Sequence, residues 1–184
     1  TAACRWPMWW SLPSAMPSAA TPPPPTWPTA WPTVPSIWRW TFDRSTGSTH
    51  EEQVDDRPIE FPRVDERRVG RRHRFSWGVQ LGYTSDELQW PSADLVRYDA
   101  DRKVSETVSF GSDRSVGEAV FVPRTPDAAE DDGWYLALVN DQREDTSELV
   151  VLDASAPTED PVARVHIPAR IPLGFHGNWI PTTP

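Results

Sequence analysis

The sequence has a single cysteine, Cys4, in 184 residues. No disulfide can close within the chain, and nothing in it asks for an oxidising compartment. No apolar run approaches the ~20 residues that a membrane-spanning helix needs. The opening stretch "TAACRWPMWWSLPSAMPSAA" lacks a clean apolar core and a leading Met, which makes it a poor secretory signal. The expected location is therefore cytoplasmic, and a first residue of Thr leads us to expect a chain cut from something longer. Positive charge is also short: 18 Lys and Arg stand against 27 Asp and Glu, a net charge of -9. That balance argues against a nucleic-acid partner, because phosphate binding needs clustered cations. The one basic cluster, "RRVGRRHR" from Arg67 to Arg74, follows acids and is expected to be solvated. Nucleophile elbows, phosphate-binding glycine loops and dinucleotide fingerprints are missing, as are C-x-x-C, H-x-x-H and H-x-E-x-H spacings. "EDDGW", Glu130 to Trp134, lacks the alternating acids of a calcium loop and reads as the acidic approach to a hairpin.

What is present divides into two parts near Ile37. Residues 1–36 carry one charged side chain, Arg5, yet hold ten of the 21 prolines and five of the 11 tryptophans. "TPPPPTWPTAWPTVP" cannot form a helix or an inner strand, since proline fixes φ and removes a donor. Three readings fit this segment: a disordered tail, a polyproline ligand for an aromatic groove, or GC-rich codons read out of frame.

Residues 37–184 read as β. Short runs rich in Val, Leu, Ile, Tyr, Phe and Trp recur between turn residues: "LVRYD" (Leu95 to Asp99), "VSETVSF" (Val104 to Phe110), "EAVFVP" (Glu118 to Pro123), "GWYLALVN" (Gly133 to Asn140), "SELVVLD" (Ser147 to Asp153) and "PVARVHI" (Pro161 to Ile167). In "VSETVSF" Val104, Glu106, Val108 and Phe110 share one face. "ELVVLD" is more continuously apolar, as an inner strand buried on both faces would be. No ten-residue stretch has a helical period. Successive antiparallel strands with short loops predict a meander, as in a sandwich, a barrel or a propeller blade.

Each histidine is a candidate ligand or proton carrier. His50 falls in the polar stretch "STGSTHEEQ", predicted to be a loop. His73 lies among arginines that would repel a cation, and His166 occupies a strand position between Val165 and Ile167. His176 differs: in "PLGFHGNWIP" it has Phe175 and Trp179 near it, Gly174 and Gly177 beside it, and Pro172 and Pro181 at the ends. The setting predicts a buried imidazole that must either hydrogen-bond or bind a metal. Glu60 in "PIEFPRV" and Glu118 in "GEAVFVPR" stand in apolar runs, where a carboxylate costs several kcal/mol unless paired. Either could hold a metal-bound histidine through its far nitrogen; pairing with Arg63 or Arg124 satisfies them equally well.

Taken in order, "WRWTFDRSTG", "DDRPIEFPRVDERRVGRRHRF", "LVRYD", "GEAVFVPR", "EDDGWYLALV", "SELVVLDA" and "PVARVHIPARIPLGFHGNW" resemble the C-terminal portion of the carotenoid cleavage oxygenase family, which includes lignostilbene and apocarotenoid dioxygenases. The resemblance covers residues 37–184 and implies a bacterial member. It implies part of a seven-bladed β-propeller, incomplete in this chain, whose axis carries a non-haem Fe(II) on four histidines steadied by glutamates. It makes His176 the last iron ligand and Glu118 the residue that orients it; Glu60 would serve a histidine not present here. The implied reaction is cleavage of a conjugated carbon–carbon double bond by O2 to two carbonyl products, and the implied partner is a small apolar polyene or stilbene. His50, His73 and His166 match none of the family's ligand motifs, and Ala119 stands where a proline is usual. Three iron ligands and a third glutamate are thus absent, so the isolated chain is expected to be inactive and to expose unpaired sheet edges. The alternative from a different class is a non-enzymatic β-rich interaction module that captures a partner through "TPPPPTWP".

Overall fold

The computed structural model describes residues 4–7, 35–82, 93–172, 174 and 176–182. Among these there is no α-helix, and one short 3-10 turn, Glu66–Arg68, so no helix is long and apolar enough to cross a membrane. The chain divides into two units, Thr1–Pro58 and Ile59–Pro184. This boundary lies later than the compositional change at Ile37, because strands on either side of Ile37 pair with each other.

The first unit holds a three-stranded antiparallel sheet of β1 (Cys4–Pro7), β2 (Ile37–Phe42) and β3 (Thr49–Asp55), in the order β1-β2-β3. Asp43 builds the β2–β3 turn: its carboxylate accepts from the Ser45 amide at 2.8 Å, and Gly47 takes φ 73° to close it. Cys4–Pro7 pairs with Phe42 to Arg39; residues 8–34, with "TPPPPTWP", on which the readings of the proline-rich segment turn, lie outside the described residues. One expectation changes here. His50 belongs to a strand and faces Thr41 across the ladder, not to a loop. Pairing with β2 imposes extension on a polar segment whose composition does not ask for it.

The second unit is one nine-stranded sheet. Its first meander is β4 (Ile59–Val64), β5 (Phe75–Leu81), β6 (Ala93–Asp99) and β7 (Val104–Val108), each pairing antiparallel with the next. A second meander follows: β10 (Gly133–Asp141), β11 (Thr146–Asp153) and β12 (Ala163–Ile167), preceded by β8 (Arg114–Val116) and β9 (Val120–Pro123). β8 and β9 flank β10 on the same side, β8 against Val139–Asp141 and β9 against Gly133–Leu136. They act as one broken strand, with Gly117, Glu118 and Ala119 in the break. Each meander has the four-strand make-up of a propeller blade. The sheet does not close on itself among the described residues, so what is seen is two such meanders and not a ring.

Alternation explains the core. β5, "FSWGVQL", turns Phe75, Trp77, Val79 and Leu81 inward, and β10, "GWYLALVND", turns Tyr135, Ala137 and Val139 inward. Trp77 stacks obliquely on Tyr135 at 4.7 Å between ring centroids, and Phe121 completes an aromatic trio. Such pairs add ~1 kcal/mol each beyond the area they bury. The Trp77 indole donates to the Ala119 carbonyl at 2.8 Å, which ties the core to the break between β8 and β9. β11 is an inner strand, as expected, but Val150 and Leu152 are buried while Leu149 and Val151 are only half-buried. Its second face is therefore thinly covered.

The basic cluster is exposed from Val69 to Arg72, as expected, but its two ends are tied down. The Arg67 guanidinium binds Asp65 and the carbonyls of Pro126 and Ala128, Arg74 pairs with the buried Asp99, and Glu130 of "EDDGW" accepts from the Arg74 and Phe75 amides. These acids and arginines tie loops to strands, which composition alone does not disclose.

Candidate functional site

Three segments meet at the candidate site. The first is β4. Its pairing with β5 shifts register between Glu60 and Arg63. At this bulge Phe61 takes φ 49°, a conformation that L residues with large side chains rarely adopt. Gly78 opposite makes room, since a β-carbon there would lie 2.6 Å from Ile59 Cγ2 and 3.1 Å from the Glu60 carbonyl. The second segment is the break between β8 and β9. Gly117 donates to the Leu138 carbonyl at 2.9 Å, and Glu118 leaves the ladder. The third is the tail after β12. Its described residues have no regular structure, and Ile171 anchors it by donating at 2.8 Å to Ser147 Oγ, itself bonded to Asn140 inside the sheet.

The structure brings Glu118 and His176 together, with His176 Nδ1 3.2 Å from Glu118 Oε1. The other carboxylate oxygen, Oε2, accepts from the Gly177 amide and from Arg63 Nη1, both at 2.8 Å. The same Arg63 nitrogen donates to the Gly177 carbonyl at 2.8 Å, and Nη2 pairs with Glu66. The Glu118 side chain is 4% exposed, so it is buried together with these partners. A carboxylate against Nδ1 favours the tautomer with the proton on Nδ1, which leaves the Nε2 lone pair available. The Phe61 ring meets the His176 ring edge-on, 6.1 Å between centroids at 88°.

Two expectations are corrected. His176 is not enclosed: its side chain is 77% exposed, and Trp179 is exposed as well. The tail carries the ring over the sheet, and no further described layer covers it. Phe175, expected to shield it, lies outside the described residues. Of the two arginines weighed as partners, Arg63 takes Glu118, whereas Arg124 takes Asp132 at 2.8 Å. Glu60 takes neither. It is half-buried on β4, burial pushes its carboxyl above the usual range, and no hydrogen bond to it occurs among the described residues. His73 is half-buried, and His50 and His166 are exposed on β3 and β12. No group of three His, Cys, Asp or Glu able to hold an ion occurs among the described residues. The donor set in hand is thus a single oriented imidazole, which falls short of the three or more protein ligands of a catalytic metal.

Fold and site define an all-β protein in which a buried glutamate orients an exposed imidazole. The chain belongs to the RPE65 family, described as retinal pigment epithelial membrane protein, which matches residues 4–181. The match begins well before Ile37, upstream of the motifs that carry the resemblance. The chain is 40% identical over 151 residues to a carotenoid cleavage oxygenase of Mycobacterium tuberculosis, covering 81% of this chain and 30% of that protein. It is 34% identical over 158 residues to lignostilbene-alpha,beta-dioxygenase isozyme III of Sphingomonas paucimobilis, covering 79% and 32%. Among solved structures, the cobalt-substituted Synechocystis apocarotenoid oxygenase aligns with TM-score 0.72 and 30% identity, over 80% of this chain and 30% of that one. The chain therefore spans about 30% of the length of the curated relatives it matches.

Proposed function

We propose that the chain is the C-terminal portion of a non-haem Fe(II) dioxygenase that cleaves a conjugated carbon–carbon double bond of a carotenoid, apocarotenoid or stilbene. The observation that carries this reading is the Glu118–His176 pair, in a chain whose relatives are named as carotenoid-cleaving and stilbene-oxidising enzymes. His176 would hold the iron through Nε2, with Glu118 keeping the proton on Nδ1. The bound metal would activate O2 beside the alkene. The chain's own residues do the positioning: Glu118 fixes the ring, Phe61 braces its edge, and Arg63 holds the carboxylate in place. The remaining ligands and the substrate-lining surface lie in sequence that this chain does not contain. Glu60, desolvated and without a described partner, is assigned to one of those absent histidines; a donor arriving there would relieve the cost of its burial.

The test is a chimera. The matching 151 residues of the mycobacterial oxygenase are exchanged for those of this chain, and iron content and cleavage of a stilbene or apocarotenoid are measured. Stoichiometric iron and turnover are expected, both lost in His176→Ala. Full iron in the His176→Ala chimera refutes the ligand assignment. The isolated chain should bind iron only substoichiometrically and should not turn over; tight iron with turnover from the chain alone would show that its ligand set is complete.

A further inference from the structure

His176 sits on a tail whose described residues form no helix or strand, and its side chain is largely exposed, so regular packing does not decide where its ring points. Around residues 176 and 177 the described tail is held by three hydrogen bonds: His176 Nδ1 to Glu118, the Gly177 amide to Glu118, and Arg63 to the Gly177 carbonyl. Arg63 also binds Glu118 directly. One guanidinium nitrogen thus joins the bulge of β4, the break between β8 and β9, and the tail. Because Glu118 Oε2 already receives two donors, Oε1 is the oxygen left to face the imidazole.

We propose that Arg63 is a positioning residue for the imidazole: it locks the Glu118 carboxylate and the Gly177 peptide so that His176 holds its proton on Nδ1 and presents a free Nε2. The proposal deepens the reading of His176 as an iron ligand and rests on it for its purpose, although the tautomer is a property of the chain without metal. A planar guanidinium suits the role, since it can serve a carboxylate and a carbonyl together while a second nitrogen is held by Glu66. With the cation removed, the buried carboxylate loses its fixed partner, the Gly177 carbonyl loses its donor, and the ring becomes free to take the Nε2–H form usual for an unconstrained neutral imidazole.

The experiment is long-range proton–nitrogen NMR of the full chain labelled in histidine. It is recorded at about pH 9, well above the ordinary imidazole range, with His176 assigned by its loss in His176→Ala. The unmutated chain should show the Nδ1–H tautomer. Arg63→Gln should convert the majority to Nε2–H, and Arg63→Lys, which keeps a cation beside Glu118, should retain mostly Nδ1–H. An Nε2–H majority in the unmutated chain, or an unchanged Nδ1–H signal in folded Arg63→Gln, overturns the proposal. Should Arg63→Gln fail to fold, the unmutated chain, uniformly labelled with nitrogen-15 and carbon-13, decides: guanidinium signals in slow exchange with a coupling to the Gly177 carbonyl carbon support the lock, and a freely rotating guanidinium refutes it. In the chimera, Arg63→Gln should weaken iron affinity roughly tenfold, the lower end of the loss seen when a partner of a metal-bound histidine is removed. A chimera whose iron is indifferent to His176, combined with the expected tautomer change, would sink the ligand reading and leave the lock standing.

Discussion

Replacing the two glutamates by glutamine, one at a time, should shift stability in opposite directions. Glu118 has three partners and is almost fully buried. In Glu118→Gln the amide oxygen can still accept from Arg63 and Gly177, but as a neutral acceptor. A hydrogen bond to a charged group is worth ~1.5–3 kcal/mol against ~0.5–1.5 for a neutral one, so two such bonds lose ~1 kcal/mol each. Arg63 keeps Glu66, which limits the damage. The expected cost is ~2 kcal/mol, a fall of ~6 °C in Tm for a domain of this size. Glu60 has no described partner, and burial raises its carboxyl. A raised folded value means that the fold prefers the protonated acid, so the ionised form destabilises the fold at neutral pH and protonation relieves that as pH falls. Glu60→Gln should therefore raise the midpoint at pH 7, with an advantage that vanishes in acid. Urea and thermal unfolding followed by circular dichroism at pH 7 and pH 4 measure both. Equal losses in the two variants, or a neutral Glu118→Gln, would refute the claim that partners, not burial alone, separate these residues.

Asp99 gives a second pH signature: its bond to Arg74, helped by the amides of Arg102 and Asp101, holds its carboxyl down from the ordinary 3.8 to about 2. The ionised form is the one the fold favours, so a contribution of ~2 kcal/mol is full above pH ~4 and lost as pH falls toward 2; Asp99→Asn should flatten the acid limb of the stability curve in that window, and an unchanged limb would count against it. Gly133→Ala should cost ~3 kcal/mol or prevent folding, because its β-carbon would lie 2.2 Å from the Val122 carbonyl and 2.9 Å from the Phe121 ring; a midpoint within 1 °C of the parent would show that β9 and β10 are looser than drawn.

The parts of the fold that the sequence discloses are those where one face is buried. Short apolar runs bounded by turn residues over Leu95 to Asp99, Gly133 to Asn140 and Ser147 to Asp153 predict β6, β10 and β11 to within a few residues. Alternation in "FSWGVQL" marks β5 as well, although no expected strand covers it. In β3 the pattern fails. β3, "THEEQVD", is exposed at all but its last residue, and its extension comes from β2 and not from its own composition. "EAVFVP" misleads in the other direction: its apolar run suggests one strand from Glu118, whereas the ladder resumes only at Val120.

The candidate site is legible in residue type and illegible in geometry, for a physical reason. A carboxylate kept in register on the inner face of a ladder would be buried among apolar side chains without a partner. Glu118 escapes that fate because it stands in the break between β8 and β9, where its carboxylate reaches Arg63, His176 and Gly177; Glu60, beside the bulge of β4, stays half-buried with no described partner. Period-2 reasoning describes regular pairing, so it is blind at the two places where the sheet departs from it. The contacts that complete the site are also remote along the chain: Arg63 reaches Glu118 across 55 residues and Gly177 across 114, and Glu118 reaches His176 across 58. No local window contains such a pair. The strained φ of Phe61 shows what holding the bulge costs, and the packed trio of Trp77, Phe121 and Tyr135 supplies the rigid base that keeps it there. It follows that loosening this base should disturb the orientation of His176 even though none of its three rings touches the imidazole's hydrogen bonds.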